Sequence, residues 1–146
     1  MTTNTATAQW QGDLKSGKGE FELGQKAFKG AFSFKSRFVG EAGTNPEELI
    51  AAAHASCFSM AFSNALATAG FTPTSVHTEA KVTLGKDETG PAVIEIVLVV
   101  NGDVPGISDA KFQEIGEAAK TGCPVSKALA GVKNITLQAT LQKAAA

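Results

Sequence analysis

Two thiols and one guanidinium are the side chains with the widest chemical scope in this sequence. Cys57 lies in Ala52-Ala53-His54-Ala55-Ser56-Cys57-Phe58-Ser59-Met60, and Cys123 in Gly122-Cys123-Pro124-Val125-Ser126. Two cysteines are too few for a disulfide scaffold, so they read as redox-active, metal-binding or simply buried. Pro124 suits the first position of a helix and makes Cys123 its N-cap, where the positive end of the dipole favours thiolate. Cys57 falls inside an apolar helix, where desolvation raises a thiol pKa and leaves it inert unless a cation stands beside it. Arg37 is the candidate cation, the one arginine in a chain whose other cations are lysines. A planar, always-charged fork does what an ammonium cannot, although drift in composition also explains a lone arginine.

Other constellations compete. His54, one helical turn before Cys57, would join Cys57, Cys123 and His77 in a zinc site of two cysteines and two histidines. Their spacing is that of no compact zinc motif, and a metal leaves Arg37 without a task. A hydrogen-bonded core histidine is the simpler role for His54. A non-catalytic binding domain on the same fold is a third class.

The elements that must position these residues are readable. Ala8–Gln11, Gly19–Leu23 and Ala31–Lys35 alternate as half-buried strands, with turn signals between them, and predict an antiparallel meander. On unbroken alternation Phe32, Phe34 and Phe38 share one parity and Arg37 the other. Asn45 is an N-cap, Pro46 suits the first helical position, and Glu47 and Glu48 complement the helix N-terminus. About twenty helix-compatible residues run to Gly70, apolar nearly all round, which predicts a buried central helix. Thr74–Leu84 and Ala92–Val100 read as strands joined by Gly85–Gly90, the second central in its sheet. Ser108 caps a helix to about Lys120, a short helix follows to about Ala130, and a last strand spans Lys133–Gln142. The order β-β-β-α-β-β-α-α-β argues an α+β class.

The chain has 146 residues and 15.0 kDa, the size of a single domain, here 1–146. Thirteen Lys+Arg against fourteen Asp+Glu leave a net charge of -1, with no footprint for nucleic acid. No apolar stretch reads as a membrane span, and Met1–Trp10 lacks the basic and apolar regions of a signal peptide. A soluble, cytoplasmic protein is expected, without nucleic-acid or membrane partners. No metal, flavin or nucleotide site is suggested, so no cofactor is expected.

Gly43-Thr44-Asn45-Pro46-Glu47-Glu48-Leu49-Ile50, the two cysteine motifs, Gly70-Phe71-Thr72-Pro73 and Val104-Pro105-Gly106-Ile107 together resemble the osmotically inducible protein C (OsmC) family of thiol peroxidases. The resemblance runs over nearly the whole chain. Arg37 just ahead of the Gly-Thr-Asn-Pro-Glu motif resembles the osmotically induced branch; the organic hydroperoxide resistance branch carries its arginine nearer the N-terminus. The resemblance implies an OsmC-like α+β fold, with antiparallel sheets around a long buried helix, in an intertwined homodimer. It implies an antioxidant oxidoreductase that reduces organic hydroperoxides, and hydrogen peroxide less well, within oxidative and osmotic stress responses. Cys57 matches the peroxidatic cysteine, Cys123 the resolving one, and Arg37 and Glu47 the arginine and glutamate of the active site. The reductant it implies is a dihydrolipoyl protein or a related dithiol.

On that reading the Cys57 thiolate attacks a peroxide oxygen, and Cys123 condenses with the resulting sulfenic acid to a disulfide. Arg37 stabilises the thiolate and the peroxide oxygens, and Glu47 orients Arg37. Phe38, Phe58 and Met60 are the expected apolar surroundings. Glu47 and Cys57 stand ten residues apart on one helix, about 15 Å along its axis. Glu47 is therefore expected to reach the site from a partner subunit, across a twofold crossing at Ala51-Ala52-Ala53.

Overall fold

The computed structural model describes residues 1–143. The chain forms two compact units, Met1–Leu49 and Ile50–Ala146, the last three residues of which lie outside the description.

The first unit is a three-stranded antiparallel sheet followed by a short helix. Strands β1 (Ala6–Gln11), β2 (Lys18–Leu23) and β3 (Phe28–Phe32) lie in that order. Glycine and phenylalanine face each other across β2 and β3, Gly19 opposite Phe32 and Phe21 opposite Gly30. Each ring fills the space that a Cβ on the facing glycine would need. The Trp10 ring stacks at a tilt on Phe32, 5.6 Å between centroids.

The third strand does not continue to Lys35. Ser33 turns the chain into helix α1 (Phe34–Phe38) with a reciprocal capping box: its hydroxyl accepts from the Ser36 N–H, and Ser36 Oγ accepts from the Ser33 N–H. Phe34, Arg37 and Phe38 are therefore helical, and the strand parity expected for them does not apply.

Helix α2 (Pro46–Thr68) begins in the first unit and gives the rest of its length to the second. Asn45 Oδ1 accepts from the Glu48 N–H at 2.9 Å, as expected of the cap. At the other end Gly70 takes φ +92°, with Gly70 N–H donating to Ala67 O and Phe71 N–H to Leu66 O. This double closure satisfies two terminal carbonyls and needs the left-handed residue glycine provides.

In the second unit β4 (Ser75–Asp87), β5 (Gly90–Asp103) and β6 (Asn134–Leu141) form a sheet with β5 central. The hairpin is tighter than expected, because Gly85 and Lys86 keep pairing, with Ala92 and Pro91, up to Asp87 opposite Gly90. Helices α3 (Asp109–Gly122) and α4 (Pro124–Ala128) cross back, so β6 runs parallel to β5 rather than antiparallel. The class is α+β, with one parallel pairing.

The core of this unit joins an i, i+4 stripe of α2 to one face of β5 and to α3. Phe58, Phe62 and Leu66 meet Leu98, Val100, Phe112, Ile115 and Cys123. The Phe62 and Phe112 rings lie 5.0 Å apart, and Phe112 in turn occupies the place a Cβ at Gly102 would take. By length and composition α2 would also suit a membrane span, contrary to expectation, but its stripe is seated in this core. Nor is α2 buried all round. Only His54, Phe58, Phe62 and Leu66 are buried, whereas Ala52 and Ala53 are exposed and Met60 is 75% exposed.

Candidate active site

Two arrangements carry chemistry, one in each unit. In the first, α1 presents Arg37 to Glu47 in the opening turn of α2. Arg37 Nε donates to Glu47 Oε2 at 3.0 Å, and Nη2 to Oε1 at 2.6 Å. This bidentate fork raises the arginine's pKa and lowers that of Glu47, in each case chiefly through the hydrogen bonding itself. The pair forms within one chain. The expectation that Glu47 orients Arg37 from a partner subunit is therefore corrected: α1 turns the chain after Ser33 and brings Arg37 back over the first turn of α2.

Ser36, which the sequence reading passed over, holds this geometry. It is buried, and its hydroxyl donates to Thr44 O at 2.7 Å, while Thr44 N–H donates to Ala31 O at 2.9 Å. These bonds fix the Gly43-Thr44-Asn45 approach to α2 against the end of β3. Gly43 has φ +130°, and a Cβ there would lie 3.0 Å from Ala31 O. The Ser-x-x-Ser spacing of Ser33 and Ser36 was the signal available in the sequence.

Arg37 also edges an apolar cleft of about 260 Å³ lined by Trp10, Leu14, Phe32, Phe34, Phe38 and Pro46. The guanidinium carbon stands 5.2 Å from the centroid of the Phe38 ring. Of the apolar surroundings expected, Phe38 lines this cleft, but Phe58 belongs to the core and Met60 faces outward.

The second arrangement joins the cysteines. Both are free thiols, Cys123 wholly buried and Cys57 partly accessible, and their sulfurs are neighbours. Cys123 caps α4 with Pro124 at the first helical position, as expected. Burial pushes the Cys123 thiol up, but the Ser126 N–H, the Cys57 thiol, the Ser126 hydroxyl and the Val125 N–H outweigh it and bring it below 9.0. Burial pushes the Cys57 thiol above 9.0, the Val125 N–H opposes this, and adjacent Cys123 adds to it. Among the described residues of its own unit no cation acts on Cys57 to offset this, so it stays a thiol there.

The four zinc donors are not brought together. His54 Nε2 lies 2.7 Å from Ser126 Oγ, and His77 is exposed on β4. No group of three or more potential metal ligands converges among the described residues.

Comparison with known proteins agrees with the motifs. The family model described as OsmC-like protein matches residues 39–138. The chain belongs to the OsmC-like family. It is 50% identical over 123 residues to Peroxiredoxin OsmC of Escherichia coli strain K12, covering 84% of this chain and 86% of that protein. It is 38% identical over 100 residues to the organic hydroperoxide resistance protein OhrB of Bacillus subtilis, covering 68% and 71%. The crystal structure of Bacillus subtilis OhrB superposes with a TM-score of 0.72 at 29% identity, covering 94% of this chain and 98% of that one. Higher identity to the peroxiredoxin than to OhrB accords with the position of Arg37 in this OsmC-like chain.

Proposed function

We propose that this OsmC-like protein reduces organic hydroperoxides to alcohols, with Cys57 as peroxidatic and Cys123 as resolving cysteine. The observation that carries the reading is the pairing of the two thiols, distant in sequence, on facing elements of one core. The Cys57 thiolate attacks the distal peroxide oxygen, the O–O bond breaks, and the alkoxide leaves with a proton as the alcohol. Cys57 is left as a sulfenic acid. Cys123 attacks its sulfur, forming the disulfide and releasing water, and an external dithiol restores both thiols. A dihydrolipoyl protein is the proposed source of that dithiol, and a reducing cytoplasm the proposed setting. The aromatic cleft beside Arg37 favours organic peroxides over hydrogen peroxide, since apolar lining rewards an apolar substituent.

The cation for Cys57 is proposed to come from a second copy. In a twofold homodimer the Arg37–Glu47 pair of one subunit would face Cys57 of the partner subunit. Two observations support this: no cation acts on Cys57 among the described residues of its own unit, and α2 leaves Ala52, Ala53 and Met60 uncovered.

Stoichiometric cumene hydroperoxide should convert both free thiols into one intramolecular Cys57–Cys123 disulfide. Cys57→Ser should abolish peroxide consumption. Cys123→Ser should leave a trappable sulfenic acid and no turnover. Native thiols that ignore the hydroperoxide would overturn the reading and leave a non-catalytic binding domain.

A further inference from the structure

His54 is wholly buried in the core stripe of α2, yet the peroxidase reading gives it no task. Its Nε2 lies 2.7 Å from the hydroxyl of Ser126, which is also buried. Its Nδ1 has no hydrogen-bond partner among the described residues. Ser126 stands in α4 three residues after Cys123, which caps that helix, so its N–H and hydroxyl belong to the same helix end as the buried Cys123 side chain. Together they hold the Cys123 thiol lower than burial alone would. The Cys123 side chain itself makes no capping hydrogen bond. His54, Ser126 and Cys123 are thus three buried neighbours, with Ser126 the shared one.

The orphaned nitrogen decides how these neighbours are polarised. A buried N–H without an acceptor is rarer than a buried acceptor without a donor. The imidazole proton therefore belongs on Nε2, and Nδ1 carries a bare lone pair. Burial also holds His54 below its usual pKa of 6.5, hence neutral. With Nε2–H donating to Ser126 Oγ, the hydroxyl proton is not needed by His54. It is free to turn onto the Cys123 sulfur. Donors arranged in series also strengthen one another.

We propose that His54 and Ser126 are positioning residues for the resolving step: Nε2–H of His54 orients the Ser126 hydroxyl, whose proton stabilises the thiolate of Cys123. The proposal rests on the peroxidase reading and assigns it a division of labour. Oxidation of Cys57 does not use the pair. Disulfide closure does, because Cys123 must lose its proton before its thiolate attacks the Cys57 sulfenic sulfur. The S–S bond then forms as the S–O bond breaks, and the departing hydroxide takes up a proton to leave as water. The pair acts again when an external thiolate attacks the Cys57 sulfur of the disulfide, because Cys123 is then the leaving thiolate. A leaving thiol of lower pKa departs faster.

Single-turnover oxidation by cumene hydroperoxide, with the sulfenic acid trapped at intervals, separates the two steps. In Ser126→Ala and His54→Leu, disulfide closure should slow about three- to tenfold, the loss of one hydrogen bond to a thiolate damped by its higher nucleophilicity. Cys57 oxidation should not slow, since a weaker Cys123 thiolate also presses less on its neighbour. His54→Gln places an amide N–H near the Nε2 position and should restore much of the closure rate, as should Ser126→Thr. In a Cys57→Ser background, thiolate absorbance should show the Cys123 pKa rising when Ser126 becomes alanine. Unchanged closure in Ser126→Ala would overturn the proposal. So would equal slowing of both steps, or no recovery in His54→Gln and Ser126→Thr, since these mark a merely structural pair. Failure of Cys57 to oxidise in the wild-type protein would instead overturn the peroxidase reading.

Discussion

Arg37 and Glu47 make a contact that a lysine in place of the arginine cannot reproduce, because two parallel N–H donors meet two carboxylate oxygens. Arg37→Lys keeps the charge and loses the fork. It should lower kcat/KM by about a hundredfold, close to the loss in Arg37→Ala, as expected when preorganised donors are removed. Wild-type kcat/KM in the lysine variant would show that a point charge suffices. The same pair has a pH signature. Glu47 is held below its ordinary value of 4.5 by the hydrogen bonds from Arg37, so its folded pKa is depressed. Its contribution to stability is therefore present above 4.5 and lost as pH falls through the depressed value. The melting temperature of Glu47→Gln should lie below that of the wild type at neutral pH, and the gap should close in acid. A gap independent of pH would deny the pair this role.

At the scale of elements, the placement of Arg37 depends on the turn from β3 into α1. The Ser33–Ser36 capping box turns β3 into α1, and Ser36 also ties α1 to Thr44. Ser36→Ala removes the return half of the box and the Thr44 bond together, and should cost about 1–2 kcal/mol of stability, the usual scale of a lost cap. Peroxide turnover should fall with it, because Arg37 loses its anchor. Gly43→Ala should cost about 1–3 kcal/mol, the scale of a side chain forced into strained backbone, with the Cβ crowding Ala31 O. Urea unfolding of both variants checks these values. The alternation of Ala31-Phe32-Ser33-Phe34-Lys35 was strand-like, but local serine hydrogen bonds overrode it, as short polar side chains do at helix starts. The β4–β5 hairpin is tighter than its turn-like residues suggest for a different reason. Gly85 and Lys86 look like turn residues, yet the register of β4 against β5 keeps them paired.

At the scale of the whole molecule, pairing of Arg37 with Glu47 inside one chain changes what mixed subunits should do. If the pair serves Cys57 of the partner subunit, inactive Cys57→Ser and Glu47→Ala subunits should recover activity on mixing, one intact site per heterodimer. Arg37→Ala mixed with Glu47→Ala should recover none, because each chain then carries a broken pair. Recovery in the second mixture would mean that Glu47 acts across the interface on an arginine of the other chain. No recovery in the first, despite proven subunit exchange, would place the complete site within one subunit. An active monomer would do the same. The uncovered face of α2, with Met60 75% exposed, is the surface such a dimer would close.

Much of this protein was legible from its residues alone. The caps at Asn45, Ser108 and Cys123, the glycine stop at Gly70, the central β5 and the ordered cysteine motifs are local chemistry, carried by a residue and its near neighbours in the chain. Beyond the local turn into α1, three features that were not legible depend on groups distant in sequence. One is the partner of Glu47, decided by how α1 folds back over the start of α2. Another is which face of α2 its own chain covers, the stripe toward β5 and α3, since an apolar composition nearly all round does not distinguish one face from another. The last is the contact of His54 with Ser126, formed between α2 and α4 across the core. Spacing along a helix reports which side chains share a face. What that face meets is set by tertiary packing, which brings together groups that no local period connects.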